Sequence, residues 1–468
     1  MAATQSWDVI VVGGGIAGLT AANRSAQAGL RTVVLEQSEA DKYLCNSRFT
    51  GGTFHVCMND IMTDPDKLGH VIEATTQGFA RRDLAAAIAA DAARGVRWLQ
   101  QEGIRFIKAS SAPHQAWVVA PPGRTRPGLD WEGRGGDVLL RTLEARLMSR
   151  GGRVLRGERA DELLMEGERC IGVVTRTSAR FTAKAVVLAD GGFQGDLELV
   201  RTHITPEAEK LRQRGAGTGL GDGLRMATAV GAALIGLDRF YGHLLSVDAL
   251  HNDQLWPYPY VDAVATAGIV VGRDGNRFAD EGNGGVFLAN AVAKLPDPLS
   301  AVMIGDDTIW QGPGRQGLIP ANPHLPQVGG TMHQANTLTQ LATAAGLPEA
   351  ALTETIGGYN AALQAGTLGQ LQPPRTANRY KPMPIVQPPF FAVPMCAGIT
   401  NTMGGIAING HGQVLTGDEA PIPGLYAVGA TTGGLEGGPA VGYVGGLVKG
   451  VVVGIRAAEH IAADAPRG

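Results

Sequence analysis

The sequence predicts an α/β fold in which a parallel, doubly wound sheet is split by an inserted α+β unit. Three observations carry this. The apolar run 8–12 passes straight into Gly13-Gly14-Gly15-Ile16-Ala17-Gly18, a helix-like segment follows at 19–28, and a second apolar run ends in Glu36. A further apolar run at 185–189 ends in Asp190-Gly191-Gly192. Between about 235 and 355 aromatics, prolines and histidines collect and the βα rhythm fades, to resume near 404–408 and 424–428.

The first unit has the order strand, glycine turn, helix, strand, acid. Gly13 allows the tight turn, Gly15 lets a pyrophosphate approach the backbone, and Gly18 lets the helix pack on the strand. Ile16 and Ala17 stand at the helix start, where free N–H groups and the positive dipole end face the phosphates. Glu36, with Gln37 beside it, is placed to accept hydrogen bonds from a ribose. NAD and FAD both use such a unit. No second strand-linked copy exists: Gly215-Ala-Gly217-Thr-Gly219 follows Arg212-Gln213-Arg214 instead of an apolar strand. One nucleotide cofactor is the economical reading.

Next comes the polar, glycine-rich stretch Asn46-Ser47-Arg48-Phe49-Thr50-Gly51-Gly52, expected as a loop over the cofactor. Residues 82–104 and 136–150 have helical apolar spacing. Residues 153–180 read as short strands of a β-meander. The strand before Asp190 and Gly191 ends as one does beneath a ligand. The inserted unit is expected over 231–358, between 1–230 and 359–468, with the Pro-rich stretch 370–390 as a linker back to the first domain. A second glycine-rich loop, 429–446, begins with Gly429, contains Ala440 and Val441, and leads into a helix at 447–461. That helix N-terminus would stabilise negative charge on a nearby cofactor ring. Seven glycines between Gly433 and Gly446 are costly unless something close needs the room.

Composition excludes several classes. Glycine makes up 67 of 468 residues, twice the usual share of about 7%, with no repeat period to explain it. A net charge of −3 gives no basic footprint for nucleic acid. Cys45, Cys57, Cys170 and Cys396 form no C-x-x-C pair, which predicts reduced thiols and no metal site. The N-terminus lacks a basic residue before Arg24, so no signal peptide is expected. The most apolar helix candidate, 447–461, carries Lys449, Arg456 and Glu459, so no transmembrane helix is expected. These absences predict a cytoplasmic protein.

Several stretches together resemble the FAD-dependent fumarate reductase/succinate dehydrogenase flavoproteins. They are the N-terminal unit, the 46–52 loop, Val186-Val-Leu-Ala-Asp-Gly-Gly192, Thr218-Gly-x-Gly-Asp-Gly223, Arg277-Phe-Ala-Asp-Glu281, Asn401-Thr-Met-Gly-Gly405 and Pro421-Ile-Pro-Gly-Leu-Tyr-Ala427. The resemblance spans almost the whole chain in order. It implies a split, glutathione-reductase-like FAD domain with a capping domain inserted, and substrate held between them against the flavin. It further implies that Arg48 and Thr50 hold FAD phosphate or ring atoms, and that Asp222 helps hold the flavin or its ribityl chain. Phe49 stands where related flavoproteins carry the histidine that attaches FAD covalently, so noncovalent FAD is expected.

The departures narrow the activity. Where fumarate reducers place their arginine acid this chain has Gly285, and their Glu-x-x-Arg relay falls on Val261 and Val264. The substrate-binding histidine is Asn401, and the segment with the carboxylate-clamping arginine reads Glu436-Gly-Gly-Pro-Ala440. A dicarboxylate reductase needs cations to bind and polarise both substrate ends. The Arg277–Gly282 variant and the 46–52 loop look more like the tricarballylate dehydrogenase branch, in a wider group that includes ketosteroid and cyclic-ketone desaturases. The expected activity is therefore an FAD-dependent dehydrogenase making a C=C bond α,β to a carbonyl or carboxylate. An enone or enoate reductase, or a flavoprotein subunit without turnover, are the alternatives.

Such chemistry needs a carbonyl-polarising group, a base for the α-proton and a hydride acceptor. Tyr443, in the loop beside the expected flavin, could donate to a substrate oxygen or act as base if its pKa is depressed. Tyr241 and His243 open the cap, and Asn401 could orient substrate. Tyr258 and Tyr260 could reach substrate or be rigid cap core. Glu436 could be a base or a lid salt bridge, and Arg277 with Glu281 reads as a structural pair. The expected partners are a small carbonyl or carboxylate substrate and an external electron acceptor, whether oxygen, a quinone or a redox protein.

Overall fold

The computed structural model describes residues 5–464. Its main sheet runs in the order Gln413–Leu415, Pro421–Ala427, Arg180–Leu188, Gln5–Val12, Thr32–Glu36, Arg153–Arg156. Four of the five pairings along this order are parallel, which buries both faces and requires uninterrupted apolar strands. Val9 through Val12 and Val33 through Leu35 satisfy this, all buried. The strand Arg153–Arg156, expected in the meander, instead joins the parallel sheet beside Thr32–Glu36. The meander proper is Ala160–Glu166, Arg169–Thr175 and Arg180–Leu188.

The helix Ile16–Gln27 and the C-terminal helix Gly446–Asp464 cross closely over this sheet. Glycine allows the approach: a Cβ on Gly454 would sit 3.0 Å from the carbonyl oxygen of Ala17. This crossing brings the N-termini of both helices to one cleft.

A second sheet is centred on Phe390–Thr402, which pairs with Arg212–Gln213, Phe240–Ser246, Val302–Asp306 and His333–Ala335. It has its own core, from Phe193 to Ile399. The residues of this core run on to Ile399, past position 359. The Pro-rich stretch is not a free linker. Arg375 is buried there and donates to the carbonyl of Thr266 at 2.6 Å, and Asn360 makes paired hydrogen bonds with the backbone of Ile385. Proline marks irregular backbone, and says nothing about whether that backbone is buried.

Candidate active site

A cleft of about 1820 Å³ of empty space, partly open to solvent, lies where the two cores meet.

Its first half is a nucleotide cradle. Gly13 has φ 103°, and a Cβ there would lie 2.6 Å from the carbonyl oxygen of Ala189, so only glycine fits between the two strand ends. No side chain caps the first turn of Ile16–Gln27 through its Gly15 N-cap; Ser47 Oγ accepts from the N–H of Ile16 at 3.0 Å. Glu36 accepts from the N–H groups of Gly14 and Ser38, both at 3.0 Å, and burial pushes its pKa up. Gly15, Ala17, Gln37, Asn46, Thr50, Gly51, Gly191 and Gly429 also line the cleft. Asp190 and Gln194 line it too, and each leaves one buried oxygen without a partner. Burial raises the Asp190 pKa to about 6. Asp222 faces the cleft in a two-point ion pair with Arg159, at 2.6 and 2.9 Å. A glycine cradle, a helix N-terminus whose Gly15 N-cap carries no side chain, a strand-end acid and orphaned polar atoms all fit a dinucleotide such as FAD.

Five residues expected at the cofactor do not line the cleft. Arg48 turns away from the cleft: it is fully buried, ion-paired with Asp137, and donates to the carbonyl of Tyr43 at 2.7 Å. Gly52 packs towards Val119 instead. Ala440 and Val441 lie in the tight turn between Gly437 and Gly442, off the cleft wall. Gly18 does not line the cleft; its α-hydrogen face packs on Gly13 and the first strand, the helix–strand role expected of it.

The second half holds the candidate chemistry. Tyr241 and Tyr443 stack with centroids 3.9 Å apart and planes 18° from parallel. Tyr241 stands opposite Asn401 across the second sheet, next to a bulge between Tyr241 and Gly242. Bulges re-aim side chains, and both residues face the cleft. The Tyr443 oxygen accepts from the N–H of Gly446 at 2.9 Å, the first residue of the C-terminal helix. Burial raises its pKa well above the usual phenol value. Burial pushes the Tyr241 phenol up as well; the two differ in their neighbours, since the Tyr241 hydroxyl has the His243 ring to take its proton while that of Tyr443 has only the Gly446 N–H, which favours Tyr443 as a donor.

His243 does not line the cleft. It sits behind Tyr241, with Nε2 3.0 Å from the Tyr241 hydroxyl and Nδ1 2.5 Å from Oδ2 of Asp262. Burial lowers the histidine pKa, against the opposing pull of Asp262. With Oδ2 of Asp262 accepting Nδ1–H, the neutral ring presents the Nε2 lone pair to Tyr241. Tyr260 stacks on this imidazole at 4.6 Å, while Tyr258 lines the cleft.

Glu436 is a salt bridge. It is fully buried, 3.0 Å from Lys449 Nζ, and accepts from the N–H groups of Val444 and Gly445 at 3.0 and 2.9 Å. It thus fixes the loop that carries Tyr443. Arg277 and Glu281 are a buried pair at 2.5 Å, joined by Arg375. Val261 and Val264 are buried in the cap core. Sequence reasoning missed Asp262, Arg214, Arg159 and His55. Asp262 had no signal, because its partner His243 is 19 residues away on another element.

A nucleotide cradle facing a tyrosine-walled cleft defines an FAD-dependent oxidoreductase, acting on CH–CH bonds. The FAD binding domain family matches residues 8–442, and the chain belongs to this family, among the fumarate reductase/succinate dehydrogenase flavoproteins. It is 25% identical to a probable fumarate reductase of Shewanella frigidimarina over 480 residues, covering 98% of this chain and 76% of that one. It is 26% identical to a 4-oxocyclohexanecarboxylate 2-dehydrogenase of Sinomonas cyclohexanicum over 528 residues, covering 94% and 90%. The 3-ketosteroid delta1-dehydrogenase from Sterolibacterium denitrificans shares the fold, with a TM-score of 0.75 at 22% identity over 99% and 100% of the chains. Among the described residues no helix is long and apolar enough to cross a membrane, and no group of three His, Cys, Asp or Glu is placed to hold a metal ion.

Proposed function

We propose that the protein is a dehydrogenase that introduces a C=C bond α,β to the carbonyl or carboxylate of a small molecule. The chain Tyr241–His243–Asp262, stacked against Tyr443, carries this reading. Tyr443 donates its phenol hydrogen to the substrate carbonyl and so acidifies the adjacent C–H. Tyr241 takes the α-proton while its own proton passes to Nε2 of His243, and Asp262 stabilises the resulting imidazolium. FAD, when bound, supplies the acceptor for the hydride from the β-carbon. Asn401 orients the substrate beside the two rings. The likeness to the 4-oxocyclohexanecarboxylate dehydrogenase supports the direction, as does the lack of the arginine acid and its relay at Gly285, Val261 and Val264.

Phe49 lines the cleft where covalent relatives carry histidine, and its ring offers no nucleophile, so FAD is held noncovalently. Acid precipitation should release all flavin into the supernatant. The electrons then leave to an external acceptor: oxygen, a quinone or a redox protein.

Anaerobic titration of the oxidised-flavin absorbance with saturated cyclic ketones and carboxylates tests the activity. Bleaching by a saturated compound is expected. Reoxidation of the reduced protein by an unsaturated compound, with no bleaching by its saturated form, would make the protein a reductase.

A further inference from the structure

Arg214 lines the cleft and is only 8% exposed, yet no carboxylate of the described residues pairs with it. Its Nε donates to the carbonyl of Pro257 at 3.1 Å and its Nη1 to Oγ1 of Thr400 at 2.9 Å. Nη2 has no hydrogen-bond partner among the described residues. The rings of Tyr258 and Tyr260 lie 5.3 and 5.9 Å from the guanidinium carbon and hold its plane.

A buried cation without a counter-charge is costly. Asp262 is committed to His243, Glu436 to Lys449 and Asp222 to Arg159, and the other acids that line the cleft, Glu36, Glu158 and Asp190, make no ion pair with Arg214. Lys449 is balanced by Glu436, which leaves Arg214 as the cation with spare donors. From Arg214 a continuous run of rings leads through Tyr260 and His243 to Tyr241 and Tyr443. Arg214, Tyr241 and Tyr443 also line the same cleft.

We infer that Arg214, with Thr400 beside it, is an anion subsite that binds a carboxylate of the substrate. The substrate class is then a keto acid, with its ketone at Tyr443 and its carboxylate at Arg214. This rests on the dehydrogenase reading for the ketone end. The guanidinium fork makes charge-assisted hydrogen bonds to both carboxylate oxygens.

Binding without turnover separates the two claims. The probes are 3- and 4-hydroxybenzoate and their methyl esters, whose phenol mimics the enolised ketone, read by perturbation of the bound-flavin absorbance. At least one acid should bind more tightly than its ester, and Arg214→Met should weaken that acid by about 10- to 100-fold while leaving the ester nearly unchanged. Arg214→Lys should recover part of the loss. Equal affinity of acid and ester in the wild type, or binding of none of the four, overturns the subsite. So does an equal loss of acid and ester in Arg214→Met with an altered flavin spectrum, which would make Arg214 a cofactor contact. Failure of saturated ketones to bleach the flavin would sink the dehydrogenase reading and leave these binding results standing.

Discussion

A Cβ on Gly285 would overlap Oδ2 of Asp262, the carboxylate oxygen that holds Nδ1 of His243 at 2.5 Å. The place where related fumarate reducers carry an arginine is therefore filled here by the acid that supports the histidine. Gly285→Ala should push Asp262 off the imidazole without touching the nucleotide cradle. The rate of flavin bleaching should fall about 10- to 100-fold, because a misplacement near 1 Å has that cost, while flavin content stays full. A wild-type bleaching rate in Gly285→Ala would show that the contact is dispensable.

Asp262→Asn tests the same contact electronically. An asparagine can keep the volume and yet hold the other histidine tautomer, with Nε2 protonated and unable to accept from Tyr241. The turnover rate should drop by about 10²–10⁴, by analogy with the loss of an orienting acid behind a catalytic histidine. The KM should move little, since Asp262 does not line the cleft. A rise in KM at constant turnover would assign Asp262 to substrate binding instead.

Tyr443→Phe removes one hydroxyl and keeps the stack on Tyr241. Loss of a carbonyl-polarising donor costs about 10²–10³ in rate. The oxidised-flavin spectrum should be unchanged. If the variant turns over normally, the donor must come from elsewhere in the cleft.

The nucleotide half was legible in the sequence because its chemistry is local. Gly13, Gly15, Gly18 and Glu36 lie within one strand–helix–strand unit, and its geometry follows from their spacing. The second half was legible only in pieces. Tyr241, Asn401 and Tyr443 were singled out, and the cleft receives all three, but the role of each depends on contacts no spacing reveals. His243 needed Asp262, and Glu436 needed Lys449, 13 residues on. Arg48 misled for the opposite reason: an arginine in a cofactor loop reads as a phosphate ligand until Asp137, 89 residues away, is seen beside it. The partner of a long strand such as Phe390–Thr402 was equally hidden, since such a strand can join either sheet.

Lys449 and Glu436 give a stability prediction. Both are buried, and their pairing anchors the turn before the C-terminal helix. Lys449→Met leaves the Glu436 carboxylate in the interior without its cation, at a cost of about 3–5 kcal/mol. Adding Glu436→Gln should return much of that loss, because the stranded charge is removed. Urea unfolding of the two variants and the wild type measures both steps. Independent, additive losses would deny the coupling.

Acid should act on this protein through His55 and Asp190 with opposite signs. Burial, with His114 and Arg379 adding to it, lowers the His55 pKa to about 3, and its Nδ1 accepts from the N–H of Met58 at 3.1 Å. Between that value and the ordinary 6.5 the unfolded chain binds the extra proton, so this contribution to stability is lost as pH falls through the window. Asp190 is raised from 3.8 to about 6, so the folded state binds the extra proton there and its contribution fades as pH rises. The two tilts oppose each other across their overlap. Removing one should expose the other: His55→Asn flattens the loss of stability on acidification, and Asp190→Asn steepens it. Each change should approach about 1.4 kcal/mol per pH unit for a full proton. Urea midpoints between about pH 4 and 7 provide the comparison. Parallel curves for wild type and His55→Asn would mean that the imidazole titrates in the folded protein much as it does in the unfolded chain.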